Sequence, residues 1–191
     1  MIADLPPDPA MHLWPLPYEE RLEARPTARI DLVVIHCTEL PDLAMARHYG
    51  ERILHASGTG NSGHYYIDRD GSVHVYVRPD RIAHHVRGYN PRSVGIELVN
   101  TGRYPDWLAR GSQKMEEPYT GAQIASLTRL LTELRRELPS LRYIAGHEDL
   151  DTAREPASDD PTVTVPRKMD PGPLFPWDAV LRATPLERLV P

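Results

Sequence analysis

The chain has 191 residues, of which 40% are hydrophobic and 26% charged, and it carries a formal net charge of −5. That length suits one domain with a full core rather than two small ones, and the acidic balance argues against a nucleic-acid binder. A single cysteine, Cys37, excludes an intrachain disulfide framework, and no apolar run approaches the roughly 20 residues of a membrane-spanning helix.

Residues 1–27 interleave prolines with Trp14, Leu16 and Tyr18, which suits an extended arm, either lying on the domain or trailing loosely from it. The start has neither the basic residues nor the apolar core of a secretory signal, so the sequence as written reads as cytoplasmic; a trimmed signal would make it periplasmic or secreted. Residues 30–39 form a β-branched apolar run, predicting a buried strand closed by the turn-prone Glu39, Leu40 and Pro41. Alternation sends Val34, His36 and Thr38 to one face and Ile35 and Cys37 to the other, so His36 emerges at a rigid strand end. Residues 41–55 open on Pro and Asp and place Met45, Tyr49 and Ile53 at helical spacing, until Gly58, Gly60 and Gly63 break the helix.

Two short strands, 64–68 and 72–77, flank Arg69, Asp70 and Gly71, and the Asp-Gly pair predicts a tight hairpin. A loop carrying His84, His85, Arg87 and Asn90 leads to a strand over 93–100, with Val94, Ile96 and Leu98 on one face and Glu97 on the other. Residues 104–118 read as a surface loop. Thr120 and Gln123 form a capping box ahead of an apolar stripe through Ile124, Leu127, Leu131, Leu134 and Leu138, the best-marked helix in the chain. Pro139 closes it, 141–145 read as a further strand, 151–160 as an acidic loop, and a short helix follows Pro176. The order strand, helix, hairpin, strand, helix, strand, helix predicts α/β architecture: a single domain with a mixed central β-sheet flanked by helices. Its expected extent is 28–183, between the arm and a C-terminal tail over 184–191.

His36 and His147 each end a strand-like run, and Pro171 disfavours the helical region for Asp170, holding its carboxylate in an extended segment. Two imidazoles and one carboxylate can form an open zinc site that keeps a position for water. Glu148, Asp149 and Asp151 are alternatives to Asp170, although acidic loop runs are commonly solvated. Cys37 faces away from His36 and cannot easily share its metal. Glu97, on an otherwise apolar strand, is costly to bury without a partner, so it is a candidate general base unless its face is simply wet. Lys168, two residues before Asp170, can point into the same cleft and donate to a developing oxyanion, or else is a surface charge.

These residues sit in recognisable frames: Val34-Ile35-His36; Ser62-Gly63-His64-Tyr65 with Arg69-Asp70-Gly71; His85 with Gly88-Tyr89-Asn90; Ser93 to Glu97; Gly146-His147; and Arg167 to Pro173. Over about residues 31–177 the chain thereby resembles the zinc-dependent N-acetylmuramoyl-L-alanine amidases. That family includes muropeptide-recycling amidases, phage lysozyme-type amidases and peptidoglycan recognition proteins. The resemblance implies one zinc ion on His36, His147 and Asp170 in a cleft at the sheet edge, Glu97 polarising the water, and Lys168 stabilising the tetrahedral intermediate. It implies hydrolysis of the amide between N-acetylmuramic acid and the L-alanine of stem peptides. The partners it implies are peptidoglycan fragments of the anhydro type, because the ending from Lys168 to Pro173 resembles the recycling group most; neither nucleic acid nor membrane is expected. A lysin acting on intact peptidoglycan is one alternative. A muropeptide-binding module without catalysis is another, opposed by the complete ligand set. His64 and His85 match cleft-lining positions, and Arg87 and Arg92 stand near them, so all four are expected to contact substrate. The segment 148–166 is long for a compact recycling enzyme and is expected to be a lid or a loop.

Overall fold

A computed structural model describes residues 11–191; the first ten residues of the expected arm lie outside them. Strand β2 (Leu32–Cys37) is buried along its whole length, between two parallel neighbours that become β5 (Ser93–Leu98) and β6 (Tyr143–Gly146) in chain order. Burial on both faces is what a continuous Val- and Ile-rich run encodes. Next to β5 lies β3 (Tyr65–Ile67), parallel to it, which turns back antiparallel into β4 (Val73–Val75). This turn is the predicted hairpin: Gly71 takes φ +87°, and Asp70 Oδ1 accepts from the Ser72 backbone N–H at 2.8 Å. With β1 (Met11–Leu13) and β9 (Glu187–Arg188) at the edges, the seven-stranded order is β1-β4-β3-β5-β2-β6-β9. All pairs but β3–β4 are parallel, so the sheet is mixed as expected.

Alternation divides this sheet into two chemistries. On one face Val33, Ile35 and Ile96 pack against Leu127 and Leu131 of α2 (Gly121–Glu137) and Val180 of α4 (Trp177–Ala183). Helix α2 begins at the predicted capping box: Thr120 Oγ1 accepts from Gln123 N–H, and Gln123 Oε1 accepts from Thr120 N–H, each at 3.1 Å. On the other face Leu32, Val34 and Ala145 are covered by Val86. Beside them Leu16, Tyr18 and Leu22 form a second apolar cluster with Tyr66 and with Ala46 of α1 (Leu43–Gly50).

Several elements differ from expectation. Helix α1 is shorter than 41–55: Asp42 caps it, accepting from Met45 N–H at 2.7 Å, and beyond its end Ile53 is 54% exposed. The acidic segment is not all loop, because β7 (Arg154–Pro156) pairs antiparallel with β8 (Thr164–Pro166) in a separate ribbon. The described part of the arm is built into the fold. Its β1 pairs with β4, and Arg47 holds the chain that follows, its guanidinium 4.6 and 4.8 Å from the ring centroids of Trp14 and Tyr76 while it donates to the Trp14 and Pro15 carbonyls. The sheet also extends past residue 183: β9 pairs with β6, and Leu186 joins the main core.

Candidate metal centre and active site

Open α/β sheets place ligands in the crevice beyond the carboxyl ends of their parallel strands. A cleft of about 730 Å³ opens there, with His36, Glu97, His147, Lys168 and Asp170 among its lining residues. His36 and Glu97 stand in register on β2 and β5. Next along the rim, β6 ends at Gly146 and His147 begins α3 (His147–Leu150). That corner is fixed by the Gly146 N–H donating to Asp149 Oδ2 at 2.9 Å, and Asp170 is tied to it through its carbonyl, which accepts from Glu148 N–H at 3.0 Å.

His36 Nδ1 and His147 Nδ1 lie 2.8 and 3.1 Å from the same Asp170 Oδ2. One potential ligand atom from each of the three buried residues lies within 4.8 Å of the others. His147 Nε2 and Asp170 Oδ1 are buried without a hydrogen-bond partner among the described residues. A buried carboxylate with an unmet oxygen beside two imidazoles is costly unless a cation completes the cluster. The donor set therefore fits a metal ion held by two nitrogens and one oxygen.

The electrostatics agree with this. Burial alone would raise Asp170, but the charge of His147, hydrogen bonds with His147 and His36, and Lys168 hold it well below the usual carboxylate range. Burial pushes His36 down to about 4 against the pull of Asp170, leaving it neutral as a ligand must be. Glu97 is pushed well above the usual range by burial and then by Asp170, with Lys168 acting the other way. Gly63 makes room for it, since a Cβ there would come within 2.8 Å of Glu97 Cγ. Among the described residues, neither Glu97 nor Lys168 has a side-chain hydrogen bond or ion pair, so both are available to the cleft.

The rival carboxylates are committed elsewhere or lie outside the cluster. Asp149 is bound by Gly146 and, at 3.1 Å, by Arg188; Asp151 pairs with Arg167; and half-buried Glu148, pushed up to about 7 by burial, is no part of the cluster. Cys37 is buried, its thiol pushed well up by burial.

The four expected substrate contacts separate. Arg87 and His85 line the cleft. His64 is fully buried: its Nδ1 accepts from Gly95 N–H at 3.0 Å, and its Nε2 lies 2.9 Å from Arg25 Nη2. It therefore lies beneath the cleft, out of a ligand's reach, contrary to expectation. Arg92 pairs with Asp31 at 2.5 and 2.6 Å, at the amino end of β5. Five residues of strand put it roughly 16 Å from Glu97, and it too is removed from the cleft.

Two buried arginines carry no sequence signal. Arg25 donates to the carbonyls of Pro79, Asn90 and Ser93 at 2.7 to 2.8 Å, fastening the arm under β5. Arg103 pairs with Glu39 at 2.6 and 2.9 Å and donates to the Pro166 and Arg167 carbonyls at 2.9 and 3.2 Å, anchoring the segment that delivers Lys168. Each is a loop arginine whose partners are distant in the chain, so only the tertiary structure reveals it.

The comparisons with known proteins follow the same outline. The endolysin of Enterobacteria phage K11 is 35% identical over 85 residues, which are 44% of this chain and 52% of the endolysin, so the match spans about half of that relative's length. The amidase AmiD from E. coli, solved with anhydro-N-acetylmuramic acid-L-Ala-D-gamma-Glu-L-Lys, superposes with a TM-score of 0.61 at 22% identity, covering 81% of this chain and 57% of that one. AmpDh3 from Pseudomonas aeruginosa, solved with anhydromuramic pentapeptide, gives 0.62 at 22% identity, covering 84% and 61%. At such identities these two structures speak to the fold. Residues 26–173, which include His36, His147, Asp170, Glu97 and Lys168, match the family model described as N-acetylmuramoyl-L-alanine amidase, and the chain belongs to that family.

Proposed function

We propose that this protein is a zinc-dependent amidase that cleaves the bond between N-acetylmuramic acid and L-alanine, with soluble 1,6-anhydro muropeptides as its substrates. The observation that carries this reading is the convergence of His36 Nδ1, His147 Nδ1 and Asp170 Oδ2 in a cleft that also holds Glu97 and Lys168. A zinc ion held by these three residues supplies Lewis acidity that makes water nucleophilic near neutral pH. Glu97, raised by burial above its usual range, accepts a proton from the attacking water and returns it to the departing alanine amine, a double role that suits a carboxyl of raised basicity. Lys168 donates to the oxyanion that develops on the lactyl carbonyl. Arg87 at the rim offers a charge to the carboxylates of the stem peptide.

The anhydro-muramyl ligands of AmiD and AmpDh3, which share the fold, support that substrate form. We place this reading in muropeptide recycling in the cytoplasm, with which a single buried cysteine is compatible. The resemblance to the K11 endolysin favours a second reading, a lysin acting on intact peptidoglycan. Mass spectrometry of the products separates the two when zinc-loaded and chelated protein is given an anhydro-muramyl peptide and, in parallel, intact sacculi. Zinc-dependent release of peptide from the soluble fragment alone is expected. Release from sacculi selects the lysin, and no cleavage of either by zinc-loaded protein overturns the amidase reading in favour of a binding module.

A further inference from the structure

His85 has both ring nitrogens engaged by the protein. Its Nδ1 lies 3.0 Å from His36 Nε2, and its Nε2 lies 3.2 Å from Ser93 Oγ, whose hydroxyl donates to the Tyr89 carbonyl at 2.8 Å. The ring is held in this place from several sides. Asn90 Oδ1 accepts from the backbone N–H of His85 and of Val86 at 3.0 and 2.8 Å. Gly95 leaves space that a Cβ would take, since that atom would come within 2.7 Å of His85 Cγ and Nδ1.

For neutral imidazoles the direction of every bond in this chain follows from its far end. The Tyr89 carbonyl can only accept, so it takes the single hydroxyl proton of Ser93. Ser93 Oγ must then accept from His85, which places the His85 proton on Nε2 and leaves a lone pair on Nδ1. That lone pair accepts from His36, which places the His36 proton on Nε2 and leaves its Nδ1 as a lone pair. This is the nitrogen that faces His147 and Asp170. Asp170 Oδ2, 2.8 Å away, attracts a proton onto that same Nδ1, where it would block ligation. His85 and Asp170 therefore compete for the single proton of His36.

We propose that His85 is a positioning residue that fixes His36 in its metal-ligating tautomer by accepting the Nε2 proton, acting through His36 rather than on substrate. The inference rests on the metal site proposed above. Metal-bound histidines usually give their second N–H to a carboxylate, a backbone carbonyl or water; here the acceptor is another imidazole, itself oriented by Ser93. His147 has no such support among the described residues, because its Nε2 is without a partner. The two histidine ligands are thus unequal, and the tautomer control falls on His36.

The test is zinc affinity of the full chain, measured by competition with a chromophoric chelator, together with long-range proton–nitrogen NMR of the histidine rings in the zinc-loaded wild type. His85→Ala is expected to bind zinc about 10- to 100-fold more weakly. His85→Asn, whose amide oxygen falls near the position of Nδ1, is expected to recover most of that loss, which mere filling of space would not explain. In the wild type the NMR spectrum is expected to place the His85 proton on Nε2. A His85 proton on Nδ1 overturns the proposal whether or not either variant folds, as does unchanged zinc affinity in a folded His85→Ala. If the wild type itself fails to bind zinc, the metal reading falls instead.

Discussion

The two faces of strands β2 and β5 share one backbone and do opposite things. Toward α2 the side chains are Val33, Ile35, Val94 and Ile96, each fully buried, and each such group contributes roughly 1.5–3 kcal/mol by leaving water. Toward the cleft, the ends of the same strands carry His36 and Glu97, while Gly63 and Gly95 leave room for Glu97 and His85. Polar groups are costly to bury, and the cluster beside them is incompletely satisfied at His147 Nε2 and Asp170 Oδ1. Strand alternation allows the apolar face to hold the backbone rigid enough to keep the expensive face in position. Stability and chemistry are thereby divided between faces rather than between domains.

If that division holds, substitutions on the two faces have separable effects. Glu97→Gln keeps the shape of the side chain and removes its basicity. It is expected to lower kcat on an anhydro-muramyl peptide by about 10²- to 10⁴-fold, with zinc content unchanged and the melting temperature equal or higher, since a carboxyl strained by burial is removed. Retained activity would take Glu97 out of the mechanism. On the opposite face, Leu131→Ala empties part of the α2 contact and is expected to cost about 2–5 kcal/mol in denaturant unfolding. Zinc affinity and kcat should be unaffected wherever the variant is folded. A folded Leu131→Ala with weakened zinc binding would show that the faces are coupled.

The same division explains what the sequence makes legible. β2, the β3–β4 hairpin and α2 are recognisable because each is specified locally, by a β-branched run, an Asp-Gly turn and a capping box with its stripe. His36, His147 and Asp170 are legible because each closes a distinctive frame, although His36 and Asp170 stand 134 residues apart. β1 and β9 are edge strands of three and two exposed residues, too short to show a period. His64 and His85 are alike in sequence and their rings meet edge to face at 5.5 Å, yet His64 is fully buried against Arg25 and the Gly95 N–H while His85 reaches the cleft beside His36. Arg87 and Arg92 are separated by five positions that lead from the cleft to the amino end of β5. Layer and strand end are tertiary facts, and no local pattern encodes them.

The smallest effect concerns the pH dependence of stability in the zinc-free chain. Burial, and then the neighbouring Arg25, push His64 down to about 3, although the Arg81 carbonyl pulls the other way. In the unfolded chain it titrates near 6.5, so between those values the unfolded state binds the extra proton. Stability from this group is therefore fully present above pH 6.5 and declines as pH falls toward 3, by up to about 1.4 kcal/mol per pH unit. His36 acts with the same sign down to about 4. Glu97 acts with the opposite sign, because its raised pKa costs stability as pH rises from the usual carboxylate value through the shifted one. Urea unfolding at pH 7, 6 and 5 isolates the first contribution when the wild type is compared with His64→Gln. The variant is expected to start less stable, having lost the Arg25 contact, and to decline more shallowly on acidification. An equal slope would mean that His64 takes up its proton in the folded state despite Arg25. Leu131→Ala supplies the contrast: it removes no titrating group, so its deficit should be the same at all three pH values, which separates loss of packing from loss of a proton-binding site.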